Sequence, residues 1–110
     1  MSETIHPADE NALLQRCRAR DAGACQELHR QYHTLVVQTI RDALPHITVP
    51  RGDLDEMAAT CLARLCLDLR NGGAEEAERG VEAYLRSSGR YEAWRWVTRR
   101  RQQEHNRLVG

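Results

Sequence analysis

The clearest structural pattern in the chain lies in residues 21–45, which read DAGACQELHRQYHTLVVQTIRDALP. Asp21 is suited to cap a helix, because its carboxylate can accept a hydrogen bond from a backbone N–H of the first turn. Pro45 cannot continue a helix. Between them, apolar residues recur every three or four positions, the period of one helix face. This stripe consists of Cys25, Leu28, Tyr32, Leu35, Val36, Ile40 and Leu44. We therefore predict a long amphipathic helix that buries the stripe.

Two further helices are predicted on either side of this one. Asp9 is a suitable N-cap for a short helix that carries Leu13, Leu14 and Cys17. After a loop at residues 46–52, Asp53 and Glu56 have the spacing of a capping box that opens a third helix. Its inward positions are Leu54, Met57, Cys61, Leu65 and Leu69. The sequence Asn-Gly-Gly at 71–73 is typical of a helix end. Residues 71–80 are acidic and flanked by glycine, which predicts a flexible loop or a single weak turn.

The last helical stretch begins near Val81, and its apolar face changes direction along the chain. The first part presents one face, made of Val81, Tyr84, Leu85 and Ser88. At 100° per residue, the same face continues to Arg95 and Arg99, which are poor core residues. Beyond Gly89 the apolar positions are Tyr91, Trp94, Val97 and Thr98. We therefore expect this helix to bend near Gly89 or to bury two different surfaces.

These patterns predict the fold class and the domain organisation. No stretch alternates apolar and polar residues long enough for a strand, so we predict an all-α fold, a compact bundle of four to five helices. A chain of 110 residues is long enough for one domain with a modest core. We assign residues 9–107 to that domain, and residues 1–8 to a flexible N-terminus. The chain is too short for two independently folded units, so we expect no second domain in it.

Targeting signals and cofactor motifs are not evident in the sequence. The N-terminus lacks the basic start and apolar run of a secretory signal, and no segment approaches the roughly 20 apolar residues of a membrane span. This predicts a cytoplasmic protein with no membrane partner. The cysteines show no Cys-x-x-Cys spacing, so we interpret Cys17, Cys25, Cys61 and Cys66 as small buried hydrophobic residues.

The sequence offers one weak candidate for a metal site and no candidate for a catalytic site. Cys25, His29 and His33 share one helix face at a spacing that suits zinc. However, the two histidines turn toward solvent, and no fourth ligand is evident. The sequence also has no glycine-rich phosphate loop and no acid pair in an apolar setting. We therefore predict no metal, no other cofactor and no enzymatic activity.

The C-terminal third has the charge pattern of a nucleic-acid contact. The chain is neutral overall, but residues 86–107 carry seven arginines against two glutamates, and residues 68–82 carry five acids against two arginines. Tyr91, Trp94 and Trp96 alternate with these arginines, an arrangement suited to gripping phosphates and stacking on an unpaired base. The alternative is that the arginines are solvated surface and the tryptophans are core, Trp94 in particular.

The order of these motifs resembles the second conserved region of the extracytoplasmic-function (ECF) bacterial sigma factors, which direct RNA polymerase to promoters. Residues 13–32 resemble the family's opening helix pair, which ends in Leu-x-x-x-Tyr. Residues 53–66 are similar to the acidic helix that binds the polymerase clamp. Residues 83–85, 89–91 and 98–101 follow the family's aromatic-Leu, Ala-Arg-Asn and basic segments. The resemblance covers roughly residues 12 to 104 and implies the sigma region-2 bundle.

The resemblance also implies partners and site residues. On the RNA polymerase core, the clamp would be bound through Asp53, Asp55, Glu56 and Ala59. Promoter DNA at the downstream (-10) element would be bound through Arg86, Arg90, Tyr91, Trp96, Arg99, Arg100 and Arg101. For the acids, stabilisation of the helix dipole is an equal alternative, since acids in a first turn contribute roughly 0.3–1 kcal/mol without a partner.

Four positions depart from the family pattern. Ala59 stands where the family usually has glutamine, Leu62 and Cys66 where it has aromatic residues, and Tyr91 where it has asparagine. Two functions therefore stay open. The chain is either a sigma-factor-like transcription initiation protein, or a sigma-like interaction module that has lost promoter recognition and binds an anti-sigma factor or another regulatory protein.

Overall fold

A computed structural model describes residues 7–109, and within this range the chain is all-α. Four helices span Pro7–Arg18 (α1), Ala22–Ala43 (α2), Arg51–Arg70 (α3) and Val81–Val109 (α4). A single 3-10 turn, Glu75–Arg79, lies before α4. These residues form no strand, which confirms the predicted class. None of the described helices combines the length and the hydrophobicity that a membrane span requires.

The first helix begins earlier than predicted. α1 starts at Pro7, a residue that is favoured at the first helical position because it lacks a backbone N–H. Asp9 therefore lies in the first turn and is not the N-cap. We predicted a flexible N-terminus at residues 1–8. Of these, residues 1–6 lie outside the described residues, and residues 7 and 8 belong to α1.

The connection between α1 and α2 is capped as the sequence predicts. The Asp21 carboxylate accepts a hydrogen bond of 2.9 Å from the backbone N–H of Gly23. The same carboxylate accepts one of 3.0 Å from Arg16 Nε. These bonds favour the ionised carboxylate, so Arg16, and then Gly23, hold the pKa of Asp21 below its usual value.

The start of α3 corrects the predicted capping box. The helix begins at Arg51, directly after Pro50, and Pro50 makes no side-chain cap bond. Asp53 is therefore inside the first turn, and its carboxylate accepts a hydrogen bond from Trp96 of α4. The other end is as predicted, since Asn71 is the C-cap and Gly72 adopts a left-handed φ of 82°.

The core lies where α2 and α3 pack against each other and against α4. The predicted stripe of α2 is confirmed at its centre, where Leu28, Tyr32, Val36 and Ile40 are buried. Cys25, Leu35 and Leu44 lie at its edge and are half-buried. All five predicted inward residues of α3 are buried, and Ala58, Leu62 and Cys66 join them. Ala77 of the 3-10 turn is also buried, so the segment predicted as loop or weak turn is fixed to the core.

Helix α4 is continuous, and the predicted face is confirmed in its first part, where Val81 and Leu85 are buried and Tyr84 and Ser88 are half-buried. The buried residues are Val81, Leu85, Gly89, Glu92, Ala93 and Trp96. They follow a single line at helical spacing. The predicted second apolar face is wrong, because Tyr91, Trp94 and Thr98 are exposed and Val97 is only half-buried. Gly89 permits a close approach of α4 to α2, since a Cβ there would lie 3.1 Å from Thr39 Cγ2.

Candidate nucleic-acid interface on helix α4

Two exposed aromatic side chains mark the outer side of α4. Tyr91 is 51% exposed and Trp94 is 62% exposed. Their ring centroids are 6.0 Å apart and their planes are inclined by 31°. The Arg95 guanidinium lies 5.9 Å from the centre of the Tyr91 ring. An exposed aromatic pair beside a guanidinium offers flat faces on which unpaired bases can stack.

Trp96, which we predicted to contact DNA, lies in the core. It is 9% exposed, and its Nε1 donates a hydrogen bond of 3.0 Å to Asp53 Oδ2. The Arg100 guanidinium covers the ring at 4.8 Å from its centre. Burial and the bond to Asp53 leave no free face for a base, so Trp96 is a packing residue. Trp94, which we expected to pack, is the exposed tryptophan.

The arginines of α4 fall into two sets according to their ion pairs. Arg86 pairs with Glu82, Arg95 with Glu92, and Arg107 with Glu104. The remaining four form no ion pair with a described acid. They are Arg90, Arg99, Arg100 and Arg101, and all four are exposed. These arginines belong to the set that the resemblance connects with DNA.

The predicted DNA-contacting residues lie on two different sides of α4. At 100° per residue, four of them occupy about 140° of arc opposite the buried line, together with Trp94, which was not in the predicted set. We call this surface the outer face, and it consists of Arg86, Arg90, Tyr91, Trp94 and Arg101. Arg99 and Arg100 instead line a groove of about 390 Å³ between α3 and α4. The structure thus separates the predicted set into an outer group and a groove group.

The groove also contains two of the four residues predicted to bind polymerase. Asp53 and Glu56 line it together with Arg99 and Arg100. The Asp53 carboxylate is already engaged by Trp96, whereas Glu56 is exposed. Positive and negative side chains therefore face each other across the groove, which reduces its net potential.

Asp55 and Ala59 lie apart from the groove. Asp55 Oδ1 is 3.5 Å from His33 Nε2 and 3.4 Å from Arg51 Nε. Neither contact has hydrogen-bond geometry, and this buried oxygen has no hydrogen-bond partner. Ala59 is exposed on the surface of α3. Of the predicted clamp-binding residues, Glu56 and Ala59 are thus exposed, and the two aspartates contact other side chains of the domain.

A buried carboxylate on α4 was not predicted from the sequence. Glu92 is 4% exposed, and its Oε1 accepts hydrogen bonds of 3.1 Å from Arg64 and 3.5 Å from Arg95. A buried carboxylate needs such partners, since an unpaired buried charge is costly. Glu92 therefore holds Arg95 close to Tyr91 at the edge of the outer face.

Three cysteines converge at the junction of α1, α2 and α3, which the sequence spacing did not indicate. The Sγ atoms of Cys17, Cys25 and Cys66 all lie within 4.8 Å of one another. Burial raises the pKa of Cys17 to about 11, and it also raises the pKa of Cys66. The expectation that the cysteines are buried holds for Cys17, Cys61 and Cys66, and Cys25 is half-buried.

The histidines considered beside Cys25 do not join this group. His33 Nε2 lies near Asp55 of α3. His29 has a lowered pKa, first because burial disfavours its charged form and second because His33 is nearby. Neither histidine is among the ligand atoms grouped with Cys25 in the described part of the chain.

Comparisons of the chain with protein-family models, with curated proteins and with solved structures found no match. The geometry of α3 and α4 and the motif order of the sequence are therefore the indications of function.

Proposed function

We propose that this chain is a sigma-factor-like transcription protein that binds single-stranded promoter DNA and the clamp of RNA polymerase. The observation that carries the proposal is the outer face of α4, where the exposed Tyr91–Trp94 pair lies among arginines. Stacking on aromatic rings contributes roughly 1–3 kcal/mol per base, and free guanidinium groups supply salt-dependent phosphate contacts. Base stacking and phosphate contacts are the two interactions by which proteins bind an unpaired strand.

The outer face suits DNA better than the groove does. Arg90 and Arg101 have no ion-pair partner among the described acids, and they flank the aromatic pair along the helix. Arg99 and Arg100 share the groove with Asp53 and Glu56. Because these carboxylates would repel phosphate, we assign the DNA strand to the outer face and give the groove arginines a secondary role.

The DNA part of the proposal is tested by removing the exposed tryptophan. Trp94→Ala should weaken binding of a fluorescent single-stranded oligonucleotide by roughly 1–3 kcal/mol, because a stacking surface is lost. Leu67→Ala is the matched control, since Leu67 is an apolar residue that is 58% exposed on α3. Fluorescence anisotropy measures both. Equal affinities of the two variants would refute the assignment of DNA to the outer face.

The polymerase part is tested on the two exposed positions of α3. Glu56→Lys should abolish capture of polymerase core, because a basic clamp surface would meet a positive charge. Ala59→Gln, which restores the residue usual in the family, should strengthen capture. Glu76→Lys on the 3-10 turn is the control, since Glu76 is exposed. Circular dichroism should show native helix content in all three variants.

The second candidate function is a sigma-like module that binds a regulatory protein and no promoter. The observation favouring it is that Asp53 and Asp55 contact side chains of the domain itself. An exposed aromatic pair is also common in protein interfaces. Undetectable binding of single-stranded DNA even at low salt, with retained binding of a protein partner, would select this candidate.

A further inference from the structure

We propose that Cys17, Cys25 and Cys66 form a binding site for a soft, thiophilic ion held by three sulfur atoms. The site is separate from the outer face and from the groove, and it does not depend on the proposed function. Each cysteine comes from a different helix: Cys17 from the end of α1, Cys25 from the start of α2, and Cys66 from the last turns of α3.

The spacing of the sulfur atoms suits a single central ion. Three sulfurs at about 2.3 Å from a metal lie about 4 Å from one another in a trigonal arrangement. The three Sγ atoms already lie within 4.8 Å of one another, so small side-chain rotations would complete the geometry. A disulfide would join only two of them and leave the third unused. The convergence of all three favours coordination over a disulfide bond.

Burial indicates which kind of ion the site prefers. Cys17 is fully buried and Cys66 is 6% exposed, while the half-buried Cys25 gives access from solvent. Three thiolates form a neutral complex with a trivalent centre, but leave a net negative charge on a divalent or monovalent one. Because buried net charge is costly, we expect trivalent arsenic to bind most tightly, ahead of Zn²⁺ and Cu⁺, which thiolates also bind.

The binding reaction with arsenite balances without an oxidant or a reductant. Arsenous acid exchanges its three As–O bonds for three As–S bonds. Each thiol proton leaves with a hydroxyl group as water, and arsenic keeps its oxidation state. The product links α1, α2 and α3, so it should also raise the melting temperature, as any ligand of the folded state does.

Native mass spectrometry of the reduced full chain, titrated with sodium arsenite, tests the site. The expected adduct adds one arsenic atom and loses three hydrogen atoms. Changing any one of the three cysteines to serine should remove this signature and weaken binding by more than about tenfold, since even outer-shell changes cost about 10–100-fold. Cys61→Ser is the matched control, because Cys61 is equally buried on α3 but outside the group.

Parallel titrations with Zn²⁺ and Cu⁺ identify the preferred ion. Binding of either ion that requires the same three cysteines supports the site. An adduct of wild-type protein that loses only two hydrogen atoms would overturn it. So would equal loss of binding in Cys61→Ser, or no binding of arsenite, Zn²⁺ or Cu⁺ at all. The mass of the wild-type adduct distinguishes two bound sulfurs from three, even if a serine variant does not fold.

Discussion

Replacing two arginines of the outer face should change the salt dependence of DNA binding more than replacing two arginines of the groove. Arg86, Arg90 and Arg101 lie along about 22 Å of α4, at 1.5 Å per residue. Arg86 can leave its exposed pair with Glu82 at little cost, since such pairs contribute roughly 0–1 kcal/mol. The outer face therefore offers three phosphate contacts.

The magnitude follows from counterion release. Each phosphate contact on single-stranded DNA contributes about −0.7 to the slope of log affinity against log salt. Three contacts give a slope of about −2.1, which is roughly an 18-fold loss of affinity between 50 and 200 mM salt. The double variant Arg90→Gln, Arg101→Gln retains one contact. Its slope should be about −0.7, roughly a 2.6-fold loss over the same range.

The groove variant is the internal control of this experiment. Arg99→Gln, Arg100→Gln makes the same change in net charge on the same helix, but at residues that face Asp53 and Glu56. This variant should lower the affinity for DNA, because the domain loses positive charge near the strand. The slope of log affinity against log salt should stay near −2.1, because no phosphate contact is lost. Fluorescence anisotropy over a salt series measures all three proteins. A groove variant that flattens the slope as much as the outer variant would refute the assignment of phosphate contacts to the outer face.

Three further predictions concern stability and need only chemical or thermal unfolding. Trp96→Ala should lower the free energy of unfolding by about 3–5 kcal/mol, as expected for a buried tryptophan. Trp94→Ala should change it by less than about 0.5 kcal/mol, because Trp94 is exposed. Similar effects of the two substitutions would contradict the burial of Trp96 and the exposure of Trp94. Gly89→Ala should be less destabilising in a Thr39→Ser background than in wild type, because serine lacks the methyl group that a Cβ at position 89 would approach. A double-mutant cycle that shows no coupling in the free energy of unfolding would argue against this contact. The bonds to Arg16 and Gly23 lower the pKa of folded Asp21, so its contribution to stability is present above the unfolded pKa and is lost as pH falls through the folded pKa. Asp21→Asn should therefore reduce the loss of stability in acid, and unchanged stability in acid would show that folding does not stabilise the carboxylate.

The parts of the fold that were predicted correctly are those that local chemistry determines. Asp21 caps α2 because its carboxylate reaches a backbone N–H only two residues away. The stripe of α2 and the inward face of α3 consist of apolar residues at helical spacing, so the period alone identifies them. Asp53 also has the sequence of a cap, but Trp96 uses its carboxylate from 43 residues away.

The buried face of α4 could not be found by counting apolar residues. Its line passes through Gly89, which has no side chain, and Glu92, which is charged. Both are explained by contacts with other helices: Gly89 lies against Thr39 of α2, and Glu92 is bonded to Arg64 of α3. Because the pattern omits these two positions, the apolar residues that remain indicate two different faces, whereas the buried residues of α4 follow one line.

The same error in the buried face explains why Trp94 was expected to be buried and Trp96 to be exposed, which is the reverse of the structure. Once Gly89 and Glu92 belong to the buried face, helical spacing puts Trp96 on that face and Trp94 on the outer one. The cysteine group was missed for a similar reason, since no sequence spacing relates three residues that come from three helices. Both features become visible only when the packing of the helices is known.

The division of the α4 arginines between two sides also relates the two proposed partners. Arg99 and Arg100 face Asp53 and Glu56, so part of the charge of α4 is balanced inside the domain. Arg90 and Arg101 do not line this groove and form no ion pair with a described acid, so their charge is available to an external anion. A clamp contact at Glu56 and a DNA strand on the outer face would therefore occupy different sides of α4. One small domain could hold both partners at once, because Glu56 and the outer face lie on surfaces that do not overlap.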